Sequence, residues 1–133
     1  MEIVAPGYVI RVDVARRLVT LKLLGFWTVE TFDEYTRALK ALAAKGKTAG
    51  RSPEEYSVLV DLREHGLQSK EVAARIEQGL AAGANRRHPH AVLVSPSVLH
   101  KAQAQRIGAH IAPRFFADEE AAMRWLMAGA VVA

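Results

Sequence analysis

The sequence predicts a single-domain α/β protein: a mixed sheet of about five strands that opens with an N-terminal antiparallel hairpin and continues as βα units, with about four helices. Three observations predict it. Apolar residues alternate with period two on both sides of a short polar break between Tyr8 and Leu23, the pattern of two half-buried strands joined by a turn. Two later runs, 56–62 and 90–94, are almost continuously apolar, as strands covered on both faces must be. Each is followed by a segment with helical spacing, and all 5 prolines fall outside the periodic segments.

Taken in order, Tyr8, Ile10 and Val12 form one side of the first strand, and Val19, Leu21 and Leu23 one side of the second. Gly25 ends the hairpin. Thr28 can cap a helix whose apolar positions Val29, Phe32, Tyr35, Leu39 and Leu42 recur at helical spacing and which should stop near Gly46. After a polar loop with Gly50 and Pro53, the strand at 56–62 belongs mid-sheet. Ser69 opens a helix with Val72, Ile76 and Leu80 on one stripe, ending near Gly83. The strand at 90–94 leads through Ser95-Pro96, with proline in the first helical turn, into a helix at about 97–107 that presents Val98, Leu99, Ala102 and Ile107. A last strand at 114–117 precedes a helix capped by Asp118, with Glu119 and Glu120 matching its dipole and Met123, Trp125, Leu126 and Met127 on its apolar side. That helix should end at Gly129 and leave Ala130-Val131-Val132-Ala133 as an apolar tail, docked on its own domain or on a second copy as a homodimer.

Length and composition narrow the function. With 133 residues, half of them apolar, the chain builds one sizeable core. Cysteine is absent, which removes disulfides and thiolate metal sites, and the first residues lack the basic and apolar regions of a signal peptide. The expectation is a cytoplasmic protein without membrane insertion. The net charge of +4 raises the question of nucleic acid, but Arg16-Arg17, Lys45 with Lys47 and Arg51, and Arg86-Arg87 sit in three separate connections with no aromatic residues between them for stacking. No nucleic-acid partner is expected.

The segments Leu23-Leu24-Gly25-Phe26-Trp27, Val58-Leu59-Val60-Asp61-Leu62-Arg63, Ser69-Lys70-Glu71-Val72-Ala73 and the stretch from Phe115 to Leu126 resemble the small bacterial SpoIIAA-like proteins, relatives of STAS domains. The resemblance covers nearly the whole chain through apolar and turn patterns, so it speaks to fold before activity. It implies a non-catalytic regulatory domain, like the anti-sigma factor antagonists that bind a partner kinase and are switched by phosphorylation of a serine at the start of the helix after a central strand. Ser69 holds the comparable place. Where the regulatory members carry an Asp-Ser-Ser-Gly type of sequence, this chain has Gln68-Ser69-Lys70-Glu71. Through the similarity of the fold to CRAL-TRIO lipid-transfer domains, the second implied function is a small apolar ligand, held between the helices and one sheet face.

The residues themselves bear on these readings. A phosphate on Ser69 would gain from the helix N-terminus and from Lys70; unmodified, the hydroxyl is an N-cap. The corner from Arg63 to Lys70 and the rim at Ser95 make the expected partner surface, with Arg63, His65, Gln68, Lys70 and Ser95 as contacts. Asp61 ends a central strand and is expected to cap the turn or pair with Arg63. His88 and His90 are too few to hold a metal, and His65, His100 and His110 would have to converge through the fold to join them. Phe26, Trp27, Phe115 and Phe116 wall a pocket or fill the core. No nucleophile elbow, glycine-rich phosphate loop or carboxylate pair is present, so the sequence predicts no catalysis and no cofactor.

Overall fold

The apolar alternation of the first 25 residues becomes three antiparallel strands, β1 (Glu2–Ala5), β2 (Tyr8–Asp13) and β3 (Leu18–Gly25). The computed structural model describes residues 1–51, 55–83, 89–111 and 113–132, with side chains for all of these except 81–83, 110–111 and 129–132. Then follow α1 (Val29–Thr48), β4 (Ser57–His65), α2 (Lys70–Gly83), β5 (His90–Leu93), α3 (Val98–Ile107) with a 3-10 turn at Gly108–Ile111, β6 (Arg114–Phe116) and α4 (Glu119–Val132). The strands lie in sequence order, β1-β2-β3-β4-β5-β6, and β3 through β6 run parallel.

The sheet therefore has six strands, one more than the sequence pattern supplies. The addition is β1, a four-residue edge strand paired with β2 through the two-residue turn Pro6-Gly7, with half of its positions exposed. Helix α1 runs two residues past Gly46, and α4 runs through Val132, so the expected apolar tail is helical. Pro96 lies ahead of α3, whose cap is Ser97. Of the other expectations, Pro53, Arg86, Arg87, His88 and the His110 side chain lie outside the described residues.

Helices α1, α2 and α3 cover one face of the sheet and α4 the other. Tyr8, Ile10, Leu23, Trp27 and Val72 form the centre of the first face. Leu18, Leu59, Ala91, Leu93, Ala122 and Leu126 form the second, with Trp125 packed against Phe116 at 5.8 Å between ring centroids. Gly7 permits the first packing: a Cβ there would stand 3.0 Å from Thr31 and 3.3 Å from the Trp27 indole nitrogen, which instead donates to the Gly7 carbonyl at 3.0 Å.

Parallel pairing of β3 with β4 contains one irregularity that positions the corner. Lys22 is level with Asp61, yet Leu24 is level with Glu64, so β4 carries one extra residue, a bulge. Alternation is shifted beyond it. Glu64 comes to the face of Lys22 and pairs with it at 2.8 Å, while His65 turns inward against Trp27, 5.0 Å between ring centroids.

Among the described residues no helix is long and apolar enough to cross a membrane.

Candidate functional site

Two places carry the features of a site, one at each end of the parallel strands. At the carboxyl ends, the loops after β3, β4 and β5 meet in a polar corner. Gln68 ties it together: its amide oxygen accepts from Trp27 N at 2.8 Å, and its amide nitrogen donates to Gly25 O at 3.1 Å and Gly66 O at 2.6 Å. Its backbone exchanges bonds with the Gln103 side chain, both at 3.0 Å. A buried amide with every partner in place is a structural clamp.

The other residues expected here fall into distinct positions. Ser69 caps α2, accepting from Val72 N at 3.2 Å, and is half-buried. Lys70 is exposed. Arg63 binds both oxygens of Asp61, at 3.0 and 2.8 Å, and reaches Glu119 at the start of α4 at 3.0 Å. Burial opposes ionisation of Asp61, but the Arg63 hydrogen bonds outweigh it and hold the carboxyl below the ordinary range. Ser95 Oγ lies 3.1 Å from His100 Nδ1.

His65 is only 6% exposed, and its Nε2 has no hydrogen-bond partner among the described residues. Burial, with a smaller contribution from the neighbouring His100, pushes its pKa down to about 4. His65 and His100 do come together, as the sequence required of any histidine cluster. Among the described residues no group of three or more histidine or acidic side chains is placed to hold a metal ion.

The outer surface of this corner also exposes large apolar side chains beside Arg63, Glu64 and Lys70. Phe26, Leu67, Val98 and Leu99 are 68%, 46%, 81% and 68% exposed. For α3 this reverses the expected face: Val98 and Leu99 point out, and His100 and Ala104 are the buried positions. The reason is the Ser97 cap and the Ser95 contact, which fix the first turn with His100 inward. Phe26 is likewise outside the core, whereas Trp27 is inside it.

The second place is a cavity of about 470 Å³ at the opposite end, beneath the C-terminal half of α1. Its floor is Ile10 and Leu21 with short branched side chains at Val12, Val14, Val19 and Val58; its roof is Thr36, Leu39, Leu42, Ala43 and Gly46. Small groups on the helix facing small groups on the sheet leave the space open. Consistently, α1 has 20 residues and none of them is buried. Met1, Lys40, Lys45, Arg51 and Tyr56 complete the described lining, and none of Phe26, Trp27, Phe115 or Phe116 takes part. Sequence reasoning put an apolar ligand between the helices and one sheet face without naming these residues as its walls, although the small residues Ala43 and Gly46 on the apolar side of α1 were a signal that the stripe is thin there.

Comparison with solved structures gives a match along the whole chain. The crystal structure of an uncharacterized protein of the DUF3478 family from Shewanella loihica PV-4, described as having a SpoIIAA-like fold, superposes with a TM-score of 0.68 over 95% of this chain and 98% of that one, at 19% identity. The fold is SpoIIAA-like. No family model matches the chain and no curated protein does. At 19% identity the SpoIIAA-like likeness establishes architecture, and the chemistry has to be argued from this chain's own residues.

Proposed function

We propose that this SpoIIAA-like protein is a non-catalytic binding module whose α1 cavity carries a small apolar ligand. The observation that supports this is the cavity itself. Its volume of about 470 Å³ falls within the roughly 300–1,000 Å³ of small-molecule sites, and its walls are mostly aliphatic. A covering helix with no buried residue still has apolar surface to bury, and each Å² that a ligand removes from water contributes about 25 cal/mol. Among the described residues the cavity lining holds no nucleophile with a neighbouring base, and retention rather than turnover is the task it fits. Native mass spectrometry of freshly purified protein tests the reading. The expected spectrum contains adduct mass that is lost on denaturation and is reduced by Ala43→Trp; bare protein alone, with no thermal shift on adding medium-chain alcohols or acids, would sink it.

A second reading has its own observation. Four large apolar side chains stand exposed at the rim around the Ser69 cap, which supports docking of a protein partner there and modulation by phosphate on Ser69. Pull-down from the host with wild type, Leu99→Asp and Ser69→Glu addresses it. A partner retained by wild type and lost from both variants is expected; equal capture by all three excludes the rim.

A further inference from the structure

We infer that the α1 cavity takes a single-chain amphiphile with one anionic head, in chemical class a medium-chain carboxylate, with the head at Lys45 and Arg51 and the chain lying over Ile10 and Leu21. Arg51 lies beside Gly46, and Lys40 is on the opposite flank of α1. This rests on the carrier reading and adds the sign of the ligand's head.

The charge argument comes first. Among the described residues, every charged side chain that lines the cavity is a cation: Lys40, Lys45 and Arg51. Elsewhere Arg11, Arg16, Arg17, Lys22, Arg63, Arg75 and Arg124 each sit against an acidic side chain, while Arg37, Lys47, Lys70, Lys101 and Arg106 have no ion pair among the described residues. The three at the cavity have no ion pair or side-chain hydrogen bond among the described residues. Lys40 and Lys45 are exposed whereas Ile10 is fully buried, so the cations mark the mouth and the aliphatic residues the floor. The negative end of the α1 dipole does not cancel them, because its last carbonyls are occupied: Ala49 N donates to Lys45 O, and Arg51 N donates to Gly46 O at 2.7 Å.

Tyr56 also lines the cavity, and a carboxylate oxygen at the mouth would accept from its phenol alongside the charge-assisted bonds from lysine and arginine.

The volume of about 470 Å³ lies within the roughly 300–1,000 Å³ of small-molecule sites, and dodecanoate serves as the medium-chain probe.

The test is isothermal titration of the full chain with dodecanoate and with 1-dodecanol, each below its aggregation limit, repeated with Lys45→Ala/Arg51→Ala and with Tyr56→Phe. Dodecanoate should bind at least tenfold more tightly than the alcohol. The double variant should lose roughly tenfold per cation for the acid and leave the alcohol unchanged, and Tyr56→Phe should lose severalfold for the acid alone. Equal affinity for acid and alcohol would overturn the anionic head while leaving the carrier reading intact. Binding of neither overturns both. Hydrogen exchange on the wild type locates the site without a variant: protection by dodecanoate is expected in residues 36–46, and protection confined to other elements overturns the assignment.

Discussion

His65 makes the stability of this fold acid-sensitive in a window set by one side chain. In the unfolded chain a histidine takes up its proton near pH 6.5; in the folded chain burial beside Trp27 and the nearby His100 push that event down to about pH 4. The folded pKa is depressed, and the neutral form is the one the fold accepts. Above pH 6.5 both states are neutral and His65 contributes no pH dependence. Below it the unfolded state binds a proton that the folded state refuses, so stability falls as pH drops from 6.5 towards 4. The linkage relation gives a loss of about 2 kcal/mol by pH 5 and about 3 kcal/mol near pH 4. Against a typical 5–15 kcal/mol for a domain this is a large fraction.

Urea unfolding followed by tryptophan fluorescence at pH 7.5, 6, 5 and 4.5 measures it, with His65→Leu as the comparison. Removing an imidazole whose Nε2 is unpartnered relieves a desolvation penalty and forfeits an edge contact with Trp27, so the variant should lie within about 1 kcal/mol of wild type at pH 7.5. At pH 5 it should be more stable than wild type by about 2 kcal/mol relative to that starting difference. Asp61 acts lower: its depressed carboxyl contributes stability above its unfolded pKa, lost only as pH falls through the folded value below 3.8, outside the window. A wild type with unchanged stability from pH 7.5 to 5, or a variant that declines in parallel with it, would refute the reasoning.

Three further outcomes are expected. Gln68→Leu strands the Trp27 N–H, removes the side-chain bond to the Gly66 carbonyl and leaves the Gly25 carbonyl with Gly66 N alone, and should lower stability by about 2–4 kcal/mol in thermal or urea unfolding. Ser69→Ala removes one cap bond and should cost about 1 kcal/mol, with the α2 amides Lys70 to Val72 losing hydrogen-exchange protection first. Ala43→Leu fills part of the cavity roof; it should raise the unfolding midpoint of the free protein by up to about 1 kcal/mol equivalent and weaken dodecanoate, so that a variant neither stabilised nor impaired in binding argues against an open space under α1.

Architecture was legible wherever a period was sustained. The hairpin at Tyr8 to Leu23, the buried strands β4 and β5 and the caps Thr28, Ser69 and Asp118 all follow from local rules, and Asp118 does accept from Ala121 N at 3.1 Å. What escaped depends on relations between elements. Strand β1 has only four residues with half-exposed alternation, and it is held by pairing with β2 rather than by its own pattern. The inward turn of His65 needs a bulge, and a bulge is a property of two strands in register. Val98 and Leu99 read as a packing face by composition, yet the Ser97 cap and the Ser95–His100 contact choose which side of α3 turns in. The cavity is hardest of all, since Leu39 and Leu42 at helical spacing look the same whether the helix sits on the sheet or stands off it.

The two ends of α1 are held by different means, and that difference explains why the space lies where it does. At its N-terminus the helix is fixed by the Thr28 cap, by Trp27 bonded at both its backbone and its indole nitrogen, and by ring contacts of Tyr35 with Tyr8 and Trp27 at 5.4 and 5.0 Å. These contacts are polar, directional and close-packed, and they bind α1 to the same Gln68 that closes the carboxyl corner. A helix of 20 residues extends about 30 Å, far beyond that anchor. Over its last turns the side chains facing the sheet shrink to Ala43 and Gly46, and no polar contact from them reaches a strand among the described residues. Leu39 and Leu42 still pack against the sheet's apolar cluster, but beyond them the sheet offers mainly valines. A domain whose only requirement was stability would fill that gap with leucine or phenylalanine, since uncovered apolar area is the cheapest defect to repair. Anchoring one end firmly and leaving the other underpacked, with cations at the opening that have no ion pair among the described residues, is an arrangement in which binding energy from the proposed ligand would complete the core.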